Sequence, residues 1–200
     1  MINLGNRPAY LDIRSEFWRE LFNKALEYEA YLADNKSEHI KRWRDSEARI
    51  PDLSKRQLNC LRGYSRNLNV LVYSGIWCGD CSRQGPLLKV IADACGDDVK
   101  LRFIDRETST DLKDELRIVG ATRVPIVVFF SEDFWEIARF GERTLSIYRA
   151  KAARDIGRKF DAGILSPKAR ERELAEWTDI FERVLIMLRL SPPLRKKYGD

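Results

Sequence analysis

Leu68-Asn69-Val70-Leu71-Val72-Tyr73-Ser74, followed at once by Gly75-Ile76-Trp77-Cys78-Gly79-Asp80-Cys81, decides the fold. The first seven residues make a short, almost continuously apolar run, the pattern of a strand buried on both faces. A helix is expected from about Cys78 to Ala94, with Leu87, Leu88, Ile91 and Ala92 facing inward. Trp77-Cys78-Gly79-Asp80-Cys81 thus falls where a strand ends and a helix begins. Two intervening residues let both sulfurs meet across the first helical turn, so a disulfide can close and reopen without moving the fold. The first cysteine sits at the helix N-terminus, where unpaired N–H groups and the dipole favour a thiolate. The thiolate is the attacking species in disulfide exchange. The second cysteine, one turn inside, is shielded and placed to resolve a mixed disulfide. The competing reading of such a pair is half a zinc site. Zinc wants four ligands, and only Cys60, Cys95 and His39 remain, scattered and single, so no metal is expected.

Working outward, Val99 to Asp105 begins with clean alternation and reads as a second strand, parallel to the first because a helix crosses between them. Leu112 to Ile118 reads as a short helix ending near Gly120. Ile126 to Phe130 is a third strand, Ser131-Glu132-Asp133 a turn, and Phe134 to Phe140 a fourth strand ended by Gly141, the last two forming a hairpin. Helices are expected over Glu142–Phe160 and over Pro167–Leu190, the latter capped by Ser166 and stopped by Ser191-Pro192-Pro193. On the N-terminal side, Ile13, Phe17, Leu21 and Ala25, with Trp18, Phe22 and Leu26, form one apolar stripe whose cap is Asp12 or Ser15. A weaker helix starts at Ser37, carries Ile40 and Trp43, and stops before Pro51. Ser54 opens a capping box with Gln57, ahead of Leu58, Leu61 and Tyr64. The result is an α/β chain: a mixed sheet of about four strands flanked by helices, with further helices at both termini. Residues 1–65 and 161–200 read as helical extensions of a central domain over 66–160.

Composition bounds the function. The chain has 200 residues, 34% charged and 44% hydrophobic, which is ordinary globular usage. No apolar run reaches the roughly 18 residues of a membrane span, and Met1 to Tyr10 lacks the apolar core of a secretory signal. Four cysteines are too few for a disulfide scaffold, and a cytoplasmic protein is expected. The net charge of +5 lies in residues 141–200, on segments that also carry Glu; only Arg189, Arg195, Lys196 and Lys197 cluster without acids. A solvated helix face explains this better than a nucleic-acid surface.

Strand, W-C-x-x-C, helix, strand, helix, X-Pro, hairpin, helix resembles thioredoxin over about residues 66–160. Pro86 stands where thioredoxins kink the active-site helix, and Val124-Pro125 is similar to the family's cis-proline loop facing the redox cysteines. Gly141 matches the glycine beside the peptide-binding groove, and Asp105 an acid ending the second strand. The W-C-G-D-C core and helical N-terminal arm further resemble a bacterial branch of thioredoxin-like proteins. The resemblance implies a thioredoxin-like fold and a protein disulfide reductase without metal or organic cofactor, with Cys78 attacking and Cys81 resolving. Its substrates would be disulfide-containing proteins or small thiols, and a reductase would recycle it. Trp77, Gly79, Asp80, Arg123, Val124, Pro125 and Gly141 would support the exchange or bind substrate.

Two positions depart from the family. Its buried acid falls at Val72, and the proline between the cysteines is Asp80. A carboxylate there repels a thiolate at Cys78, which implies a potential at the reducing end, about −230 to −270 mV. Arg123 would approach the same thiols and offset Asp80. The remaining candidates read as structural: His39 on the surface, Cys60 and Cys95 as buried thiols, and Trp18, Trp43 and Trp177 as core. The Leu174, Trp177, Ile180, Phe181, Val184, Leu185 and Leu188 stripe requires a packing partner, either the core, the N-terminal helix or a second copy of the chain. An alternative function remains, an interaction module whose helical arms dock one partner while the dithiol senses redox state.

Overall fold

The computed structural model describes residues 11–33, 35–157 and 167–199. Met1 to Tyr10, the expected helix end at Phe160 and the expected cap Ser166 lie outside them. In chain order the elements are α1 (Ser15–Lys24), α2 (Tyr28–Ala33), α3 (Ser37–Glu47), α4 (Lys55–Arg62), β1 (Leu68–Ser74) and α5 (Gly79–Cys95). They continue with β2 (Val99–Asp105), α6 (Thr110–Glu115), β3 (Arg117–Ile118), β4 (Ala121–Thr122), β5 (Ile126–Phe130) and β6 (Glu136–Gly141). α7 (Leu145–Ile156), α8 (Pro167–Leu190) and α9 (Pro192–Tyr198) close the chain.

The main sheet has the order β2-β1-β5-β6. β1 lies between a parallel β2 and an antiparallel β5, and every one of its residues is buried, as its unbroken apolar run requires. β5 and β6 form the expected antiparallel hairpin. One core cluster joins β1 and β5 to Trp18 of α1, Trp43 of α3, Leu61 of α4, and Trp177 and Phe181 of α8. The α8 stripe therefore packs on the sheet domain itself.

Several local expectations are corrected. The N-terminal stripe does not run through Leu26. Helix α1 ends at Lys24 because Leu26 leaves it to exchange two backbone hydrogen bonds with Phe103, N–H to O distances 2.8 and 2.7 Å. That rung covers part of the open edge of β2, whose backbone groups need partners. Asp12 does not cap α1. Its carboxylate accepts from the N–H of Arg14 at 2.8 Å and of Glu136 at 2.9 Å, which ties the arm to β6. Residues 117–122 form a hairpin instead of continuing α6, turning at Val119 and Gly120 with φ of 50° and 73°. β6 starts at Glu136 rather than Phe134 because the Ser131 hydroxyl accepts from the N–H groups of Asp133 and Trp135, closing a tight loop. The Ser191-Pro192-Pro193 stop also starts α9. At α4 the capping box forms as read: Gln57 N–H donates to Ser54 Oγ and Ser54 N–H to Gln57 Oε1. His39 is more enclosed than expected, its side chain 17% exposed.

No helix among the described residues is long and apolar enough to cross a membrane.

Candidate redox site

β1 delivers the chain to the site and α5 receives it. Cys78 is the N-cap residue of α5 (φ −78°, ψ 127°), and its N–H is held by the Gly75 carbonyl at 2.9 Å. Cys78 is half-buried and Cys81, one turn in, is 1% exposed; both are free thiols. The two sulfurs interact. The Cys78 pKa falls to about 6, foremost because the Cys81 thiol donates a hydrogen bond to its sulfur, with the N–H groups of Cys81 and Asp80 adding to the effect. Burial pushes the Cys81 thiol well up, and the neighbouring Cys78 sulfur pushes the same way. The Cys78 sulfur is thus the more acidic of the two, and the buried Cys81 keeps its proton.

Trp77 precedes Cys78 and is 47% exposed, with the Arg106 guanidinium 5.1 Å over its ring. A Cβ on Gly75 would touch that ring at 3.0 Å, whereas one on Gly79 would meet nothing within 4 Å. Gly79 thus leaves open space beside Cys78. The peptide bond between Val124 and Pro125 is cis, and the Val124 carbonyl accepts from the Cys78 S–H at 3.7 Å. Gly141 stands opposite Ile126 in the sheet, and a Cβ there would lie 2.8 Å from Ile126 Cγ1 and 2.9 Å from the Pro125 carbonyl. Only glycine fits. The structure therefore gathers Cys78, Val124, Pro125 and Gly141 at one end of the sheet.

The electrostatics differ from the sequence expectation. Asp80 does raise the Cys78 pKa, but it is outweighed, and its carboxylate is held by Arg83 at 2.8 Å and Arg143 at 2.6 Å. The expected direction of the Asp80 effect on Cys78 therefore holds, while the Cys81 thiol and the backbone N–H groups set the net shift. The Arg123 guanidinium, 53% exposed, sits 3.9 Å from Glu142, which also pairs with Arg143. Arg83, three residues after Asp80, was readable as a helical ion pair; Arg143 was not, because it arrives from beyond β6.

The flanking helices reach the same site. Trp43 donates its indole N–H to the Ile76 carbonyl at 3.0 Å, and Arg42 donates to the Trp77 carbonyl at 2.9 Å. On the other side Gln84, fully buried, accepts from the Trp177 indole at 3.1 Å and donates to the Glu142 carbonyl at 2.8 Å. Val72 of β1, the position matched to the family's buried acid, is 1% exposed. Cys60 and Cys95, expected to be buried, are each half-buried. Among the described residues no group of three His, Cys, Asp or Glu side chains converges on a metal position.

A family model described as Thioredoxin matches residues 25–154. A crystal structure of a protein of unknown function from Pseudomonas aeruginosa is 18% identical, covers 84% of this chain and 95% of its own, and superposes with a TM-score of 0.65. An HIV epitope-scaffold is 19% identical over 84% of this chain and 92% of its own, with a TM-score of 0.58. Mitochondrial thioredoxin 3 from Saccharomyces cerevisiae, in its oxidized form, is 23% identical over 48% of this chain and 86% of its own, with a TM-score of 0.31. No curated protein matches the chain.

Proposed function

The chain belongs to the thioredoxin family, and from that premise we propose that it is a thiol–disulfide oxidoreductase working mainly as a protein disulfide reductase. The observation that carries this reading is the placement of the two cysteines, Cys78 half-buried as the N-cap of α5 and Cys81 1% exposed one turn in, with the Cys78 pKa lowered and the Cys81 pKa raised in keeping with it. In the forward reaction the Cys78 thiolate attacks one sulfur of a substrate disulfide. The other substrate sulfur leaves with the electron pair, and a mixed disulfide forms. Cys81 then attacks the Cys78 sulfur, which releases the second substrate thiol and leaves the Cys78–Cys81 disulfide.

Trp77, the open space at Gly79, the Val124 carbonyl and the narrow floor at Gly141 would border an extended substrate chain, held by backbone contacts beside Pro125. A separate dithiol or thiol reductant must return the pair to its reduced form. A cytoplasmic setting suits a reductase, since disulfides there are transient.

The test is turnover. Reduction of insulin-type disulfides at substoichiometric protein supports the proposal, as does capture of substrates by Cys81→Ser but not by Cys78→Ala. The attachment of Arg42 and Trp43 to the carbonyls of Trp77 and Ile76 favours one second reading, an interaction module whose arms and dithiol answer to one partner. Reaction with that partner that stops at one equivalent, with no insulin turnover, would decide for it.

A further inference from the structure

Three guanidiniums from elements distant in sequence meet the residues that border Cys78. Arg42 of α3, exposed, donates at 2.9 Å to the carbonyl of the peptide bond that joins Trp77 to Cys78. Arg106, the residue after β2, holds its guanidinium 5.1 Å over the half-exposed Trp77 ring. Arg123, 53% exposed, precedes Val124, whose carbonyl lies 3.7 Å from the Cys78 sulfur.

The carboxylates nearby are already engaged. Asp80 is held by Arg83 at 2.8 Å and Arg143 at 2.6 Å, and Glu107 by Arg106 at 2.7 Å and by Lys113. Glu142 pairs with Arg143 and lies 3.9 Å from Arg123, and Asp105 accepts from the Glu107 N–H at 2.8 Å. Glu38, one turn before Arg42 on α3, lies 3.7 Å from His39. Arg42, by contrast, makes no ion pair among the described residues, and Arg123 has only its long contact to Glu142. The rim of the site therefore keeps guanidinium charge that the chain's own acids do not neutralise.

We propose that this rim selects polypeptide substrates that carry Asp or Glu beside the disulfide cysteine. The inference rests on the dithiol exchange proposed above; the reaction is unchanged, and the rim decides which disulfides reach Cys78 fastest. An anionic segment is steered to a cationic rim, and a cationic one is repelled. Arg42 and Arg106 attach at Trp77, which precedes Cys78, while Arg123 belongs to the loop whose Val124 carbonyl meets the sulfur. Charge spread over both borders suits acids on either side of a cysteine in an extended chain, rather than one compact anion. The half-exposed Trp77 ring offers that chain an apolar contact between the charges.

The experiment uses the full-length reduced protein and three disulfide-bonded peptides of one sequence, with Glu, Gln or Lys on both sides of the cysteine. Each rate is divided by that of the same peptide with dithiothreitol, which removes differences in intrinsic reactivity. A single exposed ion pair changes affinity by about fivefold at most. With several acting together, the Glu peptide should react about fivefold faster than the Gln peptide at about 0.01 M salt, and the Lys peptide slower than both. The Glu-to-Gln ratio should approach unity near 1 M salt, where screening acts beyond about 3 Å. Arg42→Gln and Arg123→Gln should each lower the ratio, Arg42→Lys should retain most of it, and Arg123→Glu should lower it further than Arg123→Gln.

Lys196→Gln removes the same charge beside Lys197, which pairs with Asp133 beyond the far end of β5, and should keep the wild-type ratio. A drop there as large as in Arg42→Gln would assign the preference to net charge and overturn the rim. Equal rates for the three peptides at low salt would overturn it as well, as would glutathione disulfide, a compact anion, reacting as fast as the Glu peptide. In each of these cases the peptides are still reduced and the dithiol reading stands. Failure to reduce any of the three overturns both.

Discussion

Trp43 occupies the space into which a side chain on residue 85 would project: a Cβ placed on Gly85 falls 2.2 Å from the Trp43 ring. The contact brings α3 onto α5, and it leaves the indole N–H free to hold the Ile76 carbonyl at 3.0 Å. Gly85→Ala must push the ring away or shift α5. The expected cost is about 1–3 kcal/mol, the range for overpacking a filled core. Thermal or denaturant unfolding checks it. A variant as stable as wild type would show that the ring relaxes freely.

That contact marks where the sequence stops being legible. β1, β2 and β5, the parallel crossover and the position of the cysteines could be read because burial and local spacing fix them. Gly85 sits beside Pro86 in plain view, yet nothing local says that an indole from forty residues upstream fills its missing side chain. Arg143 and Gln84 are hidden for the same reason, since their partners meet only after the sheet closes. Leu26 was misassigned because its periodicity is helical while its backbone is needed at the β2 edge. A tertiary demand there overrides the local pattern.

Asp80→Asn should lower the Cys78 pKa below about 6 and make the couple more oxidising. The carboxylate raises that pKa now, and its removal also frees Arg83 and Arg143 to favour the thiolate. Iodoacetamide labelling of Cys78 across pH measures the first effect and equilibration with a glutathione buffer the second. The wild-type couple should lie above the about −270 mV of a strong reductant, toward but short of the about −120 mV of a dedicated oxidant. No change in either readout would remove Asp80 from the account.

Cys60 and Cys95 should remain thiols while the Cys78–Cys81 pair oxidises. A hydrogen bond to Glu182 raises the Cys60 pKa, and burial pushes the Cys95 thiol up to about 12. Neither is a thiolate at neutral pH, so neither attacks a disulfide or reacts readily with mild oxidant. Mass mapping after limited oxidation should find one disulfide, between Cys78 and Cys81. A bridge that includes Cys60 or Cys95 would contradict the assignment.

Glu173 of α8 carries the pH dependence of stability that the structure makes most visible. It is 1% exposed, with Arg83 at 3.4 Å and Arg170 at 4.0 Å, and burial raises its pKa to about 7 against those cations. A raised folded-state pKa on an acid means that the native chain binds more protons than the unfolded chain between roughly pH 4.5 and 7. Stability therefore falls as pH rises through that window, and the full penalty is present above it. The difference corresponds to on the order of 3 kcal/mol, with the opposing pull of Arg83 and Arg170 already included. Glu173→Gln keeps the shape and removes the titration. Its melting temperature should vary less than wild type between pH 5 and 8, and the gap between the two proteins should move in favour of the variant as pH rises. Acid-side carboxylates elsewhere in the chain contribute the opposite slope, but they are common to both proteins and cancel in the comparison. Parallel wild-type and variant curves across that range would mean that Glu173 is ionised throughout, held by its two arginines.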